Sequence, residues 1–264
     1  MPGGYSAMIM KITFLFLVTL VSFSYADFDD SALWRYYIPG MDENDMNFVM
    51  NKDGINTMFL HSNLHGVKSL NWNFISLRYN YGAAGFGMEF SSVGYKKYYR
   101  RNKYRARIEY RPHENIKIAP SIEVATEEFG DFGRYTGSSG EIYINFVRKN
   151  LAGGVGITDV QFKQPYNGFD NNGPNPFVFG SWIFDEGLIL TAGAHRFENR
   201  RLRWIFDQTV SVNRNLSLNF GYMNNPSDIY GGPILTVDKI SFIITYSSIS
   251  GLDDSVILGI SFGG

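Results

Sequence analysis

Cysteine is absent from the 264 residues, which excludes disulfides, a thiol nucleophile, cysteine metal sites and a lipid-bearing N-terminal cysteine. A large charge excess is missing too. Lys and Arg number 24 against 25 Asp and Glu, a formal net charge of −1, which argues against nucleic acid or any general polyanion as a partner. Histidine is sparse: His61, His65, His113 and His195 are not at metal-ligand spacing, so no metal and no cofactor is expected. Outside the N-terminus no run reaches the 18 or so apolar residues of a membrane-spanning helix. Mean hydropathy is only −0.15, a value that by itself reads as a water-soluble protein.

The N-terminus carries an export address. Lys11 precedes ITFLFLVTLVSF, long enough for a signal-peptide core and too short to span a bilayer, and Ser24-Tyr25-Ala26 places small residues at a cleavage site. Residues 1–26 are therefore expected to be a signal peptide, with Met10 as the more natural start. Residues 27–55 form an N-terminal segment that is a candidate plug, and residues 56–264 form the main domain.

What the chain has in abundance is alternation. In KYRARIEYR (103–111) every second residue is charged, with Tyr104, Ala106, Ile108 and Tyr110 between. NIKIAPSIEVAT repeats the pattern, with Ile116, Ile118, Pro120, Ile122 and Val124 on one face and Lys117 and Glu123 on the other. The same period recurs at 75–81, 85–91, 141–147, 202–212, 216–222, 240–247 and 254–262. It is weaker at 57–64, 151–161, 176–184 and 187–197. Short breaks at 82–83, 112–114, 149–150, 185–186 and 213–214 alternate with longer polar loops at 93–102, 127–138, 163–174 and 224–233.

Alternating short and long connections describe an up-and-down antiparallel meander. Many of the strands run to nine residues or more, the length needed to cross a bilayer, whereas sandwich strands are shorter. In a bilayer the sheet must close. The expected fold is all-β, a closed up-and-down antiparallel transmembrane β-barrel of 12–14 strands preceded by a short N-terminal segment, in the outer membrane of a Gram-negative-type bacterium. The strand parity stays open, because the strands read above do not give the even number that puts both chain ends on one side.

The outer face would meet membrane lipid. Tyr79, Tyr81, Tyr104, Tyr110, Trp204 and Tyr222 fall near strand ends on that face, as in an aromatic girdle. Arg78, Glu89, Lys103, Arg105, Arg107, Glu109, Lys117, Glu123, Glu141, Arg203, Asp207 and Lys239 fall on the lumen-lining face. These charges either pair across strands and fill the interior or line an anion-selective pore. An apolar path for a hydrophobic ligand is not apparent, and the segment around Phe48 and Val49 is the one candidate gate. In HSNLH (61–65) a hydrolytic Ser–His pair is disfavoured, because Ser62 and His61 point to opposite faces of a strand. The basic aromatic loop YKKYYRRNKY (95–104) reads as an interfacial belt, or as a docking loop for a secreted or surface protein.

After the cleavage site the chain reads DFDDSALWRYYIPGM, which resembles the opening of the FadL/PorV-type outer-membrane barrels through Asp29, Asp30, Ala32, Leu33, Trp34, Pro39 and Gly40. RNLSLNFGYMNNPSDIYGG and the closing LDDSVILGISFG are similar as well. The Gly-rich stretch expected before the acidic run is absent, and the family's NPAG stands here as YIPG. The resemblance implies 14 strands, an N-terminal segment folded towards the lumen, and no catalysis. It implies either uptake of hydrophobic compounds or an accessory role in protein secretion with a secretion-system partner. An outer-membrane lipase, protease or deacylase, or a barrel with a closed lumen, is the alternative.

Overall fold

The computed structural model describes residues 54–64, 70–95, 98–163, 174–184, 187–197, 201–224, 228–249 and 254–263. The expected signal peptide, almost all of the N-terminal segment, and Phe48 and Val49 lie outside the described residues.

Fourteen strands follow one another: β1 Gly54–Asn63, β2 Leu70–Tyr81, β3 Ala84–Tyr95, β4 Tyr99–His113, β5 Ile116–Glu128, β6 Arg134–Arg148, β7 Leu151–Lys163, β8 Asn175–Phe184, β9 Leu188–Phe197, β10 Arg201–Ser211, β11 Leu216–Met223, β12 Asp228–Val237, β13 Ile240–Ile249 and β14 Ser255–Gly263. Each pairs antiparallel with the next, and β1 pairs with β14, so the sheet closes on itself. The start of β1 and the end of β14 meet at one end, where Asn56 stands opposite Gly263. That end also holds the tight turns, three of them closed by left-handed residues, Gly82 at φ 56°, Lys149 at φ 50° and Asp238 at φ 53°. The longest connections, 164–174 and 64–69, lie at the other end. Short turns inside and long loops outside is the arrangement of outer-membrane barrels, so the long-loop end faces outward.

The strand missing from the sequence reading is β12. Its residues DIYGGPILTV break the alternation at Gly231-Gly232-Pro233 and read as part of a polar loop. The chain nevertheless stays extended there. Pairing to β13 holds at Gly231–Tyr246 and resumes at Ile234–Ile243 in unchanged register, with the proline, which has no N–H to donate, in the gap. Gly232 is required by a close approach, since a Cβ on it would lie 1.9 Å from the carbonyl oxygen of Ile244. With β12 counted, the strand number is even. The loops expected at 93–102 and 127–138 are also shorter than read, because β3, β4, β5 and β6 run into them. The break expected at 112–114 moves to 114–115, after an irregularity in the β4–β5 pairing near His113.

Alternation decides which side chains leave the barrel. On β4, Tyr104, Ile108 and Tyr110 are exposed on the outside while Arg105, Arg107 and Glu109 are buried. On β5, Ile122 and Val124 are exposed and Glu123 is buried. Phe86, Leu77, Ile144, Val178, Trp204, Phe242 and Leu258 carry the apolar outer surface round the remaining strands. An apolar band of this extent on a closed barrel is what a bilayer covers.

Two substitutions test this arrangement. Ile122→Arg, midway along β5 on the outer face, is expected to destabilise the lipid-embedded barrel by roughly 2–4 kcal/mol in urea unfolding from vesicles. An unchanged midpoint would mean that this face does not meet lipid. Gly232→Ala is expected to cost about 1–3 kcal/mol through overpacking against β13.

Candidate functional site

The site is the barrel interior, and its densest chemistry lies on β2 to β6. Direct pairing places Glu89 opposite Arg105, and Arg105 opposite Glu123. Glu89 receives Arg78 at 3.0 Å and Arg107 at 3.2 Å on one oxygen and Arg105 at 2.9 Å on the other. Arg105 in turn reaches Glu123 at 2.8 Å and Glu141 at 2.9 Å. One carboxylate is thus ringed by three guanidiniums and one guanidinium by three carboxylates. Lys103 completes Glu123 at 3.2 Å, and the Ser121 hydroxyl donates to Glu141 at 2.9 Å. The Tyr143 ring is fully buried with the Arg107 guanidinium 5.1 Å and the Lys117 ammonium 5.6 Å from its centroid. Glu109 is buried beside Arg107 at 3.8 Å.

Arg101 and Glu127 were read as loop residues in the sequence, but β4 and β5 extend far enough to pair them at 3.1 Å. Buried charges are costly alone, so interlocked pairing is the condition for holding this many of them inside. Arg203 is buried on β10. Asp207 accepts from the Tyr230 hydroxyl at 2.9 Å and from the Asn219 amide at 2.8 Å. Lys239, expected on an inner face, is instead exposed in the two-residue turn Asp238-Lys239. The left-handed Asp238 closes that turn, and with β12 unread its place could not be seen.

The adjoining wall is apolar, and the alternation does not reveal it. Met58 and Leu60 of β1, Trp72 and Phe74 of β2, Ile234 of β12, Ile243 of β13 and Ile257 of β14 form one buried cluster. Trp72 and Phe74 precede the clean alternation of 75–81. Ile243 and Ile257 each adjoin an outward apolar residue and so blur the period; those runs of consecutive apolar residues were the available signal. A second buried cluster joins Ala119, Tyr143, Phe177, Phe179, Ile205 and Met223.

The aromatic residues of the outer face stand towards both ends. Tyr79, Tyr81 and Tyr110 are exposed at the short-turn end, and Tyr104 and Trp204 are exposed nearer the long loops. Tyr222 is half-buried opposite Phe206. His61 Nδ1 meets Asn73 Oδ1 at 2.9 Å on the outer face, while Ser62 is buried on the inner one, so these two neighbours do not make a nucleophile and base. His195 is buried near the outer mouth with Nε2 3.3 Å from Thr158 Oγ1. Among the described residues no group of His, Asp or Glu could hold a metal ion.

If Arg105 is the hub, Arg105→Leu leaves Glu89, Glu123 and Glu141 short of charge and is expected to cost about 3–5 kcal/mol in urea unfolding. Glu123→Leu in the same chain is then expected to cost less than in the wild type, a coupling that independent sites would not show.

No protein-family model matches the sequence, and no curated protein matches it. Solved structures match in fold. The toluene transporter TbuX of Ralstonia pickettii aligns with a TM-score of 0.60 at 9% identity, over 86% of this chain and 92% of that one. The toluene transporter TodX of Pseudomonas putida aligns at 0.57 and 10% identity, over 90% and 94%. The outer membrane protein Omp33 of Acinetobacter baumannii aligns at 0.53 and 9% identity, over 80% and 97%. The chain is a closed 14-stranded β-barrel of the outer membrane, similar in fold to these proteins.

Proposed function

We propose that the barrel carries small, largely apolar molecules across the outer membrane, as a FadL-type barrel does, and is not an ion-selective pore. The observation that carries this reading is the apolar inner wall of Met58, Leu60, Trp72, Phe74, Ile234, Ile243 and Ile257. It lies in a barrel whose interior charges are largely engaged with one another on β2 to β6. Such charges offer a passing ion little that water does not, whereas an apolar wall favours a solute with hydrocarbon surface. A barrel of 14 strands is also wider than the eight-stranded kind that side chains can fill unaided. The transporters named for toluene among the similar folds support the same class of solute.

The test pairs two measurements. Cells producing the chain are expected to accumulate a small aromatic hydrocarbon several-fold faster than cells without it, and Leu60→Glu, a charge in the apolar wall, to abolish the difference. Refolded protein in planar bilayers is expected to show little conductance. A stable conductance whose ion preference shifts in the Arg105→Ser, Arg107→Ser double variant, with no hydrocarbon uptake, would replace this reading with a charge-lined pore. No uptake together with co-purifying secreted proteins would favour the secretion branch of the family resemblance.

A further inference from the structure

The outer face of β3 to β6 changes chemistry in the same order on successive strands towards the long loops. On β3 the outward residues pass from Phe90 to Ser92, and on β4 from Tyr104 to Asn102 to Arg100. On β5 they pass from Val124 to Thr126 to Glu128, and on β6 from Ser138 to Thr136 to Arg134. The pairing aligns these residues across strands. Phe90, Tyr104 and Val124 form one row, Ser92, Asn102, Thr126 and Thr136 the next, and Arg100, Glu128 and Arg134 the third. The first row is held by a ring contact, Phe90 to Tyr104 at 5.1 Å between centroids, and the second by Ser92 donating to Asn102 at 2.8 Å.

The arginines at the level of the third row are of two kinds. Arg101, on the inner face, is committed to Glu127. Arg100 and Arg134, on the outer face, are exposed, and neither makes an ion pair among the described residues, although Glu128 stands between them in register. Lys163, opposite Ser138 at the end of β7, is a further exposed cation beside the same patch. Three exposed cations thus face one carboxylate on a surface whose lower edge is apolar.

From this layering we propose that the outer face of β3 to β6 is a binding site for a phosphorylated glycolipid of the outer leaflet. Its acyl chains lie against Phe90, Tyr104 and Val124. Its sugar hydroxyls and amides meet Ser92, Asn102 and Thr136. Its phosphates are taken by Arg100 and Arg134, whose planar guanidiniums bind phosphate bidentately. The long-loop end places the patch at the outer leaflet, the side where such a lipid resides. Hydrocarbon alone would leave the Asn102 amide nitrogen and the exposed Thr136 hydroxyl facing lipid tails that cannot hydrogen-bond. A phospholipid headgroup supplies a phosphate but few of the hydroxyls and amides that row can bond.

The test is native mass spectrometry of the detergent-solubilised barrel titrated with three lipids: bisphosphorylated lipid A, the same lipid with its phosphates removed, and phosphatidylglycerol. The wild type is expected to retain bisphosphorylated lipid A at least about tenfold more tightly than either of the others, the factor that one lost charge-assisted contact produces. Arg100→Gln with Arg134→Gln is expected to remove that preference. Arg214→Gln, an exposed arginine in the β10–β11 turn at the opposite end, is expected to leave it intact. Circular dichroism establishes that each variant folds. Equal binding of phosphatidylglycerol would overturn the glycolipid assignment, and a folded double variant that binds lipid A as the wild type does would overturn the site.

Discussion

The constraint on which the rest depends is closure. A bilayer offers no hydrogen bonds to a strand edge, so the ladder between β1 and β14 must form or the sheet cannot remain in lipid. Once it forms, each strand has a neighbour on both sides, and each residue has only two destinations, lipid or lumen. The period-two pattern then acts as an address rather than as a preference. That is why a chain with a mean hydropathy of −0.15 can be a membrane protein: the apolar half of every strand is used outside and the polar half inside.

Sending the polar half inward creates a second problem, and the β2–β6 network is its solution. The strands that carry the most charge are consecutive, so opposite signs fall in register, one diagonal apart, or, for Arg105 and Glu141, across one intervening strand. Glu89 and Arg105 each take three partners of opposite sign, which shares the cost of burial among several contacts. The apolar cluster of β1, β2 and β12–β14 needs no such arrangement, because Leu60, Ile243 and Ile257 carry no polar side-chain atom to satisfy. The barrel interior therefore has one wall held by ion pairs and, beside it, one held by packing.

The barrel, its closure and the faces of β4, β5 and β6 were legible because strong alternation leaves one way to orient a strand. β12 was not, because Gly231, Gly232 and Pro233 carry the composition of a loop and the reason for Gly232, the nearby Ile244 carbonyl, lies on another strand. The same omission left the turn at Asp238-Lys239 unseen and put Lys239 on the wrong surface. The apolar inner wall was illegible for a different reason. Where both faces of a strand are apolar, as at Ile243-Ile244 and at Val256-Ile257-Leu258, composition does not say which residue turns inward; the register does. Pairings such as Arg101 with Glu127 were hidden by strand ends that continue past the apolar belt.

Strand length sets the remaining asymmetry. β4 and β6 have 15 residues and β5 and β7 have 13, whereas β11 has 8. The long strands include the charged ones, and their extra residues lie at the long-loop end. There the projecting part is tied together by Arg101 to Glu127 and by ring contacts running from Tyr99 to Phe129 at 5.2 Å and on to Tyr135 at 6.1 Å. An extension held in this way cannot fold down over the lumen without breaking an ion pair and two ring contacts together. The outer mouth therefore has one raised, braced side, continuous with the ion-paired wall. The shorter strands β10 to β14 carry their own buried polar groups near that mouth, Arg203 on β10 and Asp228 on β12, the latter accepting from Ser247 of β13, whereas Ile234 and Ile243 of the apolar cluster lie deeper, towards the short turns.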